Sequence, residues 1–365
     1  MSQPMNLKRH NSPNYSSQPK RYRSGEDGID HIEICQIAPS PDSPALTMDE
    51  VHCYKGCSDI ISSISFNNSN TQYATGGINK YLMLYDFANS VALNHPEPPR
   101  AFWQVYANSK ISSVIFSNDS DNLFAGCYDG IVKSFAIESR KKDPIEIASF
   151  PGKVWSIDSH VQQPGLLASA SHDGTAAIID RRIFHKMAWV VTRLKMVDST
   201  TCVKFRKPTE LCVTCADRSI TLYDIRNSKK PILQFTRSRH NKAVSYVSLS
   251  GEHIISSGID SKVCCWSEAG DCVGEYSSHK NNRNFTGLSS TSELIAVGSE
   301  DNRVYVYNKK SSVPVCNRFL YSPIPQTFVS SVTFDHTGEY LLAANSAGYI
   351  TLFRLDSAQS THPTI

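Results

Sequence analysis

Residues 211–225 read LCVTCADRSITLYDI and contain the pattern that decides the fold. The apolar run LCVTC is followed by a tight polar turn at Asp217. A second apolar run then ends in the aromatic–Asp pair Tyr223-Asp224. Short apolar runs bounded by turn residues are typical of β-strands. The stretch therefore predicts two short strands joined by a tight turn.

The same pattern recurs along the chain. In each copy a short apolar strand leads to a second strand rich in Ala, Ser and Gly, then to a turn with Asp or Asn, and then to a third strand. The copies are ISSISF…YATGGINKYLMLYDF from Ile61, ISSVIF…LFAGCYDGIVKSFAI from Ile111, VWSIDS…LLASASHDGTAAIID from Val154, TCVKFR…LCVTCADRSITLYDI from Thr201, AVSYVSL…IISSGIDSKVCCWSE from Ala243, NFTGLSS…LIAVGSEDNRVYVYNK from Asn284 and VSSVTF…LLAANSAGYITLFRL from Val329. The copies start 50, 43, 47, 42, 41 and 45 residues apart, and a period of about 40–45 residues is typical of WD-repeat blades of four strands. We therefore predict an all-β fold, a seven-bladed WD-repeat β-propeller with a disordered N-terminal tail.

Short polar residues occupy the turn between the second and third strands. They are Asn79, Asp129, Asp173, Asp217, Asp260 and Asp301. Such side chains can hydrogen-bond the turn backbone and tolerate unusual dihedral angles. In the fifth copy the spacing of His240, Asp260 and Trp266 predicts a buried, structural His–Asp bond near an indole. We expect His279 and Asp301 to repeat this bond, and His172 to be exposed.

A closed propeller needs an N-terminal strand to complete its last blade, because a ring with joined ends has no free sheet edge. Two segments are candidates, HIEICQI (31–37) and VHCYKG (51–56). The first is more apolar and alternates better, so we favour it. The predicted organisation is a disordered basic tail at 1–28, a linker with the closing strand at 29–56, the propeller at 57–356 and a C-terminal tail at 357–365.

The charge is concentrated in the tail. The chain has 37 Lys+Arg and 34 Asp+Glu, and the first 25 positions contain the basic residues Lys8, Arg9, Lys20, Arg21 and Arg23. Two basic clusters on a flexible spacer resemble a bipartite nuclear-import signal. We therefore expect the protein in the nucleus, and also in the cytoplasm. The rest of the chain is nearly neutral, which argues against direct nucleic-acid binding.

The sequence contains no pattern for catalysis, cofactor binding or membrane insertion. It has no run of 18 apolar residues, no GxGxxG after a strand, no GxxxxGK[ST], no HExxH and no GxSxG. The 11 cysteines are scattered. Cys212 and Cys215 lie three apart on a predicted strand and so face opposite sides, which disfavours a shared metal. We expect no enzyme activity, no catalytic residue, no metal and no cofactor.

Several segments resemble one known family. TCADRSITLYDIR, AVSYV, HKNNRNFTGLS, GSEDNRVYVYNKK, FVSSVTF and AANSAGYI are similar to the C-terminal propeller of the plant constitutive-photomorphogenic E3 ubiquitin ligase, its SPA partners and the free-standing repressors of UV-B photomorphogenesis. NNRNF, CADR and DNRVYVY resemble the repressors more than the ligase. The resemblance covers residues 57–355 and is strongest after residue 200.

The resemblance implies a site for peptides with a Val-Pro core and acidic residues upstream. The positions that match are Lys110, Tyr128, Lys153, Trp155, Arg218, Lys242, Asn282 and Phe285. Aromatic faces would pack a proline ring, and cations would attract the acidic flank. Judged from the residues alone, Trp155 and Phe285 could instead be core residues.

A second resemblance concerns docking. The strings IDRR (179–182) and YDIR (223–226) resemble the WDxR boxes of propellers that bind the adaptor of cullin-4 ligases. The residues that match are Asp180, Arg182, Asp224 and Arg226. An Asp–Arg pair at a strand end can equally tie adjacent loops, and both interpretations stay open.

Together the residues and the resemblance imply a non-enzymatic peptide-binding protein. It would bind the Val-Pro tail of the UV-B photoreceptor in competition with the photomorphogenic ligase. It could also present Val-Pro transcription factors to a cullin-4 ligase, and the photomorphogenic E3 ligase itself could be a partner. The alternative is a generic nuclear WD-repeat scaffold in chromatin or trafficking complexes. We expect no membrane partner.

Overall fold

Twenty-eight strands and one short helix make up the part of the chain that the structure, a computed structural model, describes: residues 46–91, 98–138, 143–182, 190–235 and 239–357. The strands form seven four-stranded antiparallel sheets, called blades 1 to 7 in chain order. The predicted all-β, seven-bladed propeller is therefore confirmed.

The first strand of the described residues, β1 (Leu46–Lys55), belongs to blade 7. Blade 1 contains β2 (Ile61–Phe66), β3 (Gln72–Gly77), β4 (Tyr81–Asp86) and β5 (Trp103–Tyr106), with the helix α1 (Phe87–Val91) between β4 and β5. Blade 2 contains β6 (Ile111–Phe116), β7 (Asn122–Cys127), β8 (Ile131–Ala136) and β9 (Ile145–Ser149). Blade 3 contains β10 (Val154–Ser159), β11 (Leu166–Ser171), β12 (Thr175–Asp180) and β13 (Val190–Lys195).

Blades 4 to 7 follow the same order. Blade 4 contains β14 (Thr200–Lys207), β15 (Glu210–Cys215), β16 (Ile220–Asp224) and β17 (Pro231–Phe235), and blade 5 contains β18 (Val244–Ser250), β19 (His253–Gly258), β20 (Val263–Trp266) and β21 (Cys272–Tyr276). Blade 6 contains β22 (Leu288–Ser290), β23 (Leu294–Gly298), β24 (Arg303–Asn308) and β25 (Pro314–Phe319). Blade 7 contains β26 (Val329–Phe334), β27 (Tyr340–Asn345) and β28 (Tyr349–Ser357), together with β1.

The core lies between the blades. Seven clusters of buried apolar side chains each combine residues of two neighbouring blades. The first strands of successive blades also contact each other around the whole ring. Small residues allow this close approach: a Cβ added at Gly76 in blade 1 would lie 2.5 Å from Cγ2 of Val114 in blade 2. This packing explains why the second strands are rich in Ala, Ser and Gly.

Strand β1 closes the ring by pairing antiparallel with β28, from Leu46 opposite Ser357 to Lys55 opposite Tyr349. The preference for residues 31–37 was therefore wrong, and that segment lies outside the described residues. The closing strand overlaps the other candidate, 51–56, and begins earlier. Met48 and Tyr54 of β1 are buried in the clusters that join blade 7 to its neighbours. This role needs two well-placed large side chains more than a uniformly apolar run.

The turn residues behave as predicted in five blades. The side-chain oxygens of Asn79, Asp129, Asp173, Asp217 and Asp301 each accept a hydrogen bond from the backbone N–H two residues later. The residue after each of the six predicted turn residues has a positive φ, as does Gly348 in blade 7. Among these left-handed residues only Gly130, Gly174 and Gly348 are glycines.

Blade 5 contains the predicted His–Asp bond. Nδ1 of His240 lies 3.1 Å from Oδ1 of Asp260, and both side chains are buried. Ser256, which the sequence analysis missed, completes the arrangement: its Oγ lies 2.8 Å from Nε2 of His240 and accepts the Trp266 indole N–H at 2.8 Å. The His240–Asp260 prediction is confirmed.

The expected His279–Asp301 bond in blade 6 is wrong. Nδ1 of His279 lies 3.3 Å from the Tyr307 hydroxyl, and its Nε2 finds no partner in the part of the chain that the structure describes. Blade 6 has Tyr307 at the position of Trp266 and Val297 at that of Ser256, so the phenol reaches the imidazole and no serine supports it. Burial lowers the pKa of His279 to about 4, which keeps it neutral.

The cysteines are consistent with small apolar core residues. Cys212 and Cys215 are both free and buried. Over the described residues, no group of three or more His, Cys, Asp or Glu side chains is arranged to hold a metal ion. No helix in the described ranges has the length and apolar character needed to cross a bilayer.

Candidate functional site

The candidate site is built on a repeated irregularity in the first strands. In six blades the pairing of the first strand with the second shifts at the strand's second residue. These shifted residues are Ser62, Ser112, Trp155, Thr201, Ser245 and Ser330. All six line one cavity of about 200 Å³. Bulges of this kind re-aim a side chain, and here they surround the mouth of the central channel.

Three of the five hydroxyls in this set connect neighbouring blades. Oγ1 of Thr201 donates to the Val244 carbonyl at 2.7 Å, and Oγ of Ser330 donates to the Ile61 carbonyl at 2.6 Å. Ser112 donates in the same way to Val154. Trp155 occupies the equivalent position in blade 3 and has no hydroxyl to donate. It is thus the one large side chain among small hydroxyl residues.

Trp155 belongs to an aromatic cluster at the cavity. Its ring centroid lies 5.6 Å from that of Tyr128 and 5.1 Å from that of Phe285. Tyr246 adds a fourth ring, 6.1 Å from Phe285. Burial raises the pKa of both Tyr128 and Tyr246, so their hydroxyls stay neutral. Half-buried aromatic faces beside an open cavity suit an apolar ligand group.

Lys153 supplies positive charge directly above this cluster. Its Nζ lies 4.8 Å from the Tyr128 ring centroid and 5.4 Å from that of Trp155. The side chain is exposed. An ammonium over aromatic faces is held in place by their quadrupoles. The structure therefore brings together Tyr128, Lys153, Trp155 and Phe285 of the predicted residues.

Glu300 fixes the loop that carries Phe285. Its Oε1 accepts the backbone N–H of Arg283 at 2.8 Å, and the backbone N–H and side-chain amide of Asn284 at 2.9 and 3.0 Å. Burial alone would raise the pKa of Glu300, but these donors outweigh it and hold the pKa below its usual value. The NNRNF segment is therefore a pinned loop.

The other predicted peptide-binding residues lie on loops at the same end of the strands. Lys110 precedes β6, and its carbonyl accepts the Tyr128 N–H at 2.9 Å. Lys242 precedes β18, Arg218 lies in the β15–β16 turn, and Asn282 is in the loop pinned by Glu300. All four side chains are exposed and none lines the cavity. Their role in binding stays a prediction.

Of the fourteen residues that line the cavity, only Tyr128, Trp155 and Phe285 were predicted, and Tyr246 and Arg283 are the most informative of those that were missed. Tyr246 follows the bulge of blade 5, where blades 1, 2, 3 and 7 have serine and blade 4 has cysteine. An alignment of the first strands would have marked it as an exception. Arg283 is the only charged side chain among the described residues that line the cavity.

The candidate docking residues lie at the opposite end of the strands. Asp180 binds Arg182 through both carboxylate oxygens, at 2.9 and 2.8 Å, and Asp224 binds Arg226 in the same way, at 3.0 and 2.7 Å. These bonds lower the pKa of both aspartates, that of Asp224 to about 2. The arginine side chains stay 55% and 70% exposed. Among the described residues, each pair is local and ties no second blade.

The predicted import residues, Lys8, Arg9, Lys20, Arg21 and Arg23, lie outside the described residues, as do the tail at 1–28 and residues 358–365.

Comparisons with known proteins give the family. A family model described as WD domain, G-beta repeat, matches residues 48–86, 102–135 and 270–308. The WD repeat-containing protein RUP2 of Arabidopsis thaliana is 31% identical over 327 residues, which are 81% of this chain and 88% of that protein. RUP1 of the same plant is 30% identical, over 81% of this chain and 80% of that protein.

Longer relatives match over the same share of this chain. The E3 ubiquitin-protein ligase COP1 of Arabidopsis thaliana is 30% identical over 311 residues, 81% of this chain but 45% of that protein. Protein SPA1-RELATED 3 is 27% identical, over 82% of this chain and 37% of that protein. This chain therefore spans less than half of these two relatives. It belongs to the family of WD-repeat propeller proteins that includes RUP1, RUP2, COP1 and SPA1-RELATED 3.

Proposed function

We propose that this protein is a non-enzymatic peptide-binding propeller that recognises Val-Pro motifs with acidic residues upstream. The observation that carries the proposal is the cluster of Tyr128, Trp155 and Phe285 beside an open cavity, with the Lys153 ammonium above two of the rings. A core tryptophan would be covered on both faces, whereas this one is half-buried at a channel mouth.

The cluster matches the chemistry of such a peptide. A proline ring is already rigid, so it loses little conformational entropy when it packs on an aromatic wall. The valine side chain would enter the apolar part of the cavity. Acidic residues upstream would meet Lys153, and further out Lys110. Arg218, Lys242 and Asn282 would tune which peptides bind.

We further propose a role in light signalling, as a negative regulator of the UV-B response. The family relationship to RUP1, RUP2 and COP1 supports this step. The protein would bind the Val-Pro tail of the UV-B photoreceptor in competition with the photomorphogenic ligase, and it would also bind Val-Pro transcription factors.

Calorimetry tests the peptide site. An acidic Val-Pro peptide should bind the wild-type protein, and its Ala-Ala version should not. The Trp155→Ala variant should bind the Val-Pro peptide with a loss of roughly 2 kcal/mol or more, as for other buried aromatic anchors. If the folded wild type binds no acidic Val-Pro peptide, or if both proteins bind equally, the site is wrong. A generic chromatin or trafficking scaffold would then be the better description.

The paired Asp–Arg geometry favours a second function, docking to the adaptor of a cullin-4 ligase. Arg182 and Arg226 present exposed guanidinium groups at equivalent positions of blades 3 and 4. Arg182→Glu with Arg226→Glu should abolish adaptor binding. Arg354→Glu in blade 7 is the matched control, because Arg354 also pairs with a nearby aspartate, Asp356. Equal loss in the control, or adaptor binding by the double variant, would argue against specific docking.

We propose that the two basic clusters of the tail direct the protein to the nucleus. Alanine replacement of Lys8, Arg9 and the Lys20–Arg23 cluster should move a tagged protein to the cytoplasm. A large fusion partner is needed, because the 40.5 kDa chain is small enough to diffuse through nuclear pores. An unchanged nuclear signal would contradict the proposal.

A further inference from the structure

We propose that His172 is a positioning residue for Trp155, and that protonation of His172 loosens the indole and weakens peptide binding. This inference rests on the proposed peptide-binding function and adds a regulating group to the same site.

The starting point is that blade 3 has no bulge hydroxyl to hydrogen-bond a backbone carbonyl of blade 4. At the equivalent position of blades 2, 4 and 7 a hydroxyl donates to a carbonyl of the next blade. Trp155 cannot make this bond. Its indole N–H instead donates to Nδ1 of His172 at 3.4 Å, and the same Nδ1 lies 2.9 Å from Oγ of Ser199.

Ser199 makes this contact an inter-blade connection. It directly precedes Thr200, the first residue of β14, and so belongs to the loop that enters blade 4. The chain of contacts from Trp155 through His172 to Ser199 therefore joins blade 3 to blade 4 above the channel. This indirect connection through Nδ1 of His172 takes the place of the direct hydrogen bond that a hydroxyl makes to the next blade in blades 2, 4 and 7.

The protonation state of His172 decides whether this connection can exist. A neutral imidazole with an unprotonated Nδ1 accepts the indole N–H, whereas in an imidazolium both ring nitrogens are donors. The protonated ring would donate to the Ser199 hydroxyl and leave the indole without a partner. The His172 side chain is exposed, so protons from solvent reach it.

Charged groups surround His172 on each element packed against it. Lys153, whose carbonyl accepts the His172 N–H, lies over the Trp155 ring. Asp173 is next in the turn and accepts the Thr175 N–H, while Asp198 accepts the Ser199 N–H. Added charge at His172 could by itself attract an acidic peptide. The test must therefore separate charge from the ability to accept a hydrogen bond.

Two variants make this separation at pH 8. His172→Asn keeps an acceptor atom one bond beyond Cγ and adds no charge, whereas His172→Lys adds a charge and has no acceptor. The Asn variant should bind an acidic Val-Pro peptide as the wild type does. The Lys variant should bind about fivefold more weakly, the scale of one lost hydrogen bond. Equal or tighter binding by the Lys variant would overturn the proposal.

Nuclear magnetic resonance supplies a readout that a merely structural role would not move. The indole N–H resonance of Trp155 can be assigned by its absence in Trp155→Phe. Between pH 8 and pH 5.5 this resonance should shift in the wild type and stay fixed in His172→Asn, because only the imidazole can gain a proton at the acceptor atom. A resonance that does not respond to pH in the wild type would also overturn the proposal. If instead the wild type binds no Val-Pro peptide but the indole N–H resonance still responds to pH, the proposed function fails and the His172–Trp155 contact stands.

Discussion

Replacing Trp155 by serine should restore a bond between blades while removing the peptide anchor. In blades 4 and 7 the hydroxyl at this position donates to the residue that precedes the next bulge, at 2.7 and 2.6 Å. The equivalent acceptor for blade 3 is the carbonyl of Thr200. A serine at position 155 should reach it and form one buried hydrogen bond.

The magnitude follows from a comparison with Trp155→Ala. Both variants lose the ring contacts with Tyr128 and Phe285, which contribute about 0.5–1.5 kcal/mol each. Only the serine variant gains a hydrogen bond, with a net value of about 1 kcal/mol. Trp155→Ser should therefore be more stable than Trp155→Ala by about 1 kcal/mol, although both should lose most of their peptide affinity.

Denaturant unfolding of both variants, followed by calorimetry with the Val-Pro peptide, checks the reasoning. Thr201→Val is a useful companion, since it removes one existing inter-blade hydroxyl and should cost about 1–2 kcal/mol. Equal stability of the Ser and Ala variants would refute the role of the bulge hydroxyls. Peptide binding by Trp155→Ser at wild-type affinity would refute the indole as an anchor.

Three further predictions concern other parts of the site. Arg218→Gly should stabilise the propeller by up to about 1 kcal/mol in denaturant unfolding, because Arg218 has φ 78° in a turn where three other blades have glycine; a marked loss of stability would contradict this. Glu300→Gln should destabilise the protein by about 1 kcal/mol at pH 7. The native pKa of Glu300 is lowered, so its stabilisation is present above the unfolded pKa and is lost as pH falls through the native pKa; a difference between the two proteins that did not shrink in acid would argue against the pinned loop. Lys242→Glu should slow peptide association, by an amount that decreases with salt, and leave dissociation nearly unchanged; stopped-flow measurements should show no such effect for Lys229→Glu at the other end of the strands.

The repeats could be predicted from the sequence because each blade is a local unit. Strand, turn acid and next strand follow one another within a few tens of residues. The hydrogen bond that the Ser219 N–H donates to Asp217 joins positions only two residues apart. Ring closure is different, since it joins residues 309 apart. Apolar alternation in 31–37 could not reveal that β28 needs Met48 and Tyr54 beside it.

The site was harder to predict because its residues stand out only when equivalent positions of different blades are compared. Trp155 by itself reads as a core residue, and only its place among serines and threonines marks it as an exception. Tyr246 was missed for the same reason. His279 failed because a neighbouring side chain, the Tyr307 hydroxyl, competes for its nitrogen. Spacing alone does not report such competition.

The pairing of β1 with β28 has a consequence for how the protein is made. Leu46 emerges from the ribosome about 300 residues before its partner Ser357, so the nascent chain holds six complete sheets and one unpaired edge until synthesis is nearly finished. The same pairing places the two ends of the propeller side by side. A circular permutant that links residue 357 to residue 46 and opens the chain between blades 4 and 5 would turn the last pairing into a hairpin. Blade 7 should be completed sooner in this permutant, since the pairing of two distant strands becomes a short loop closure.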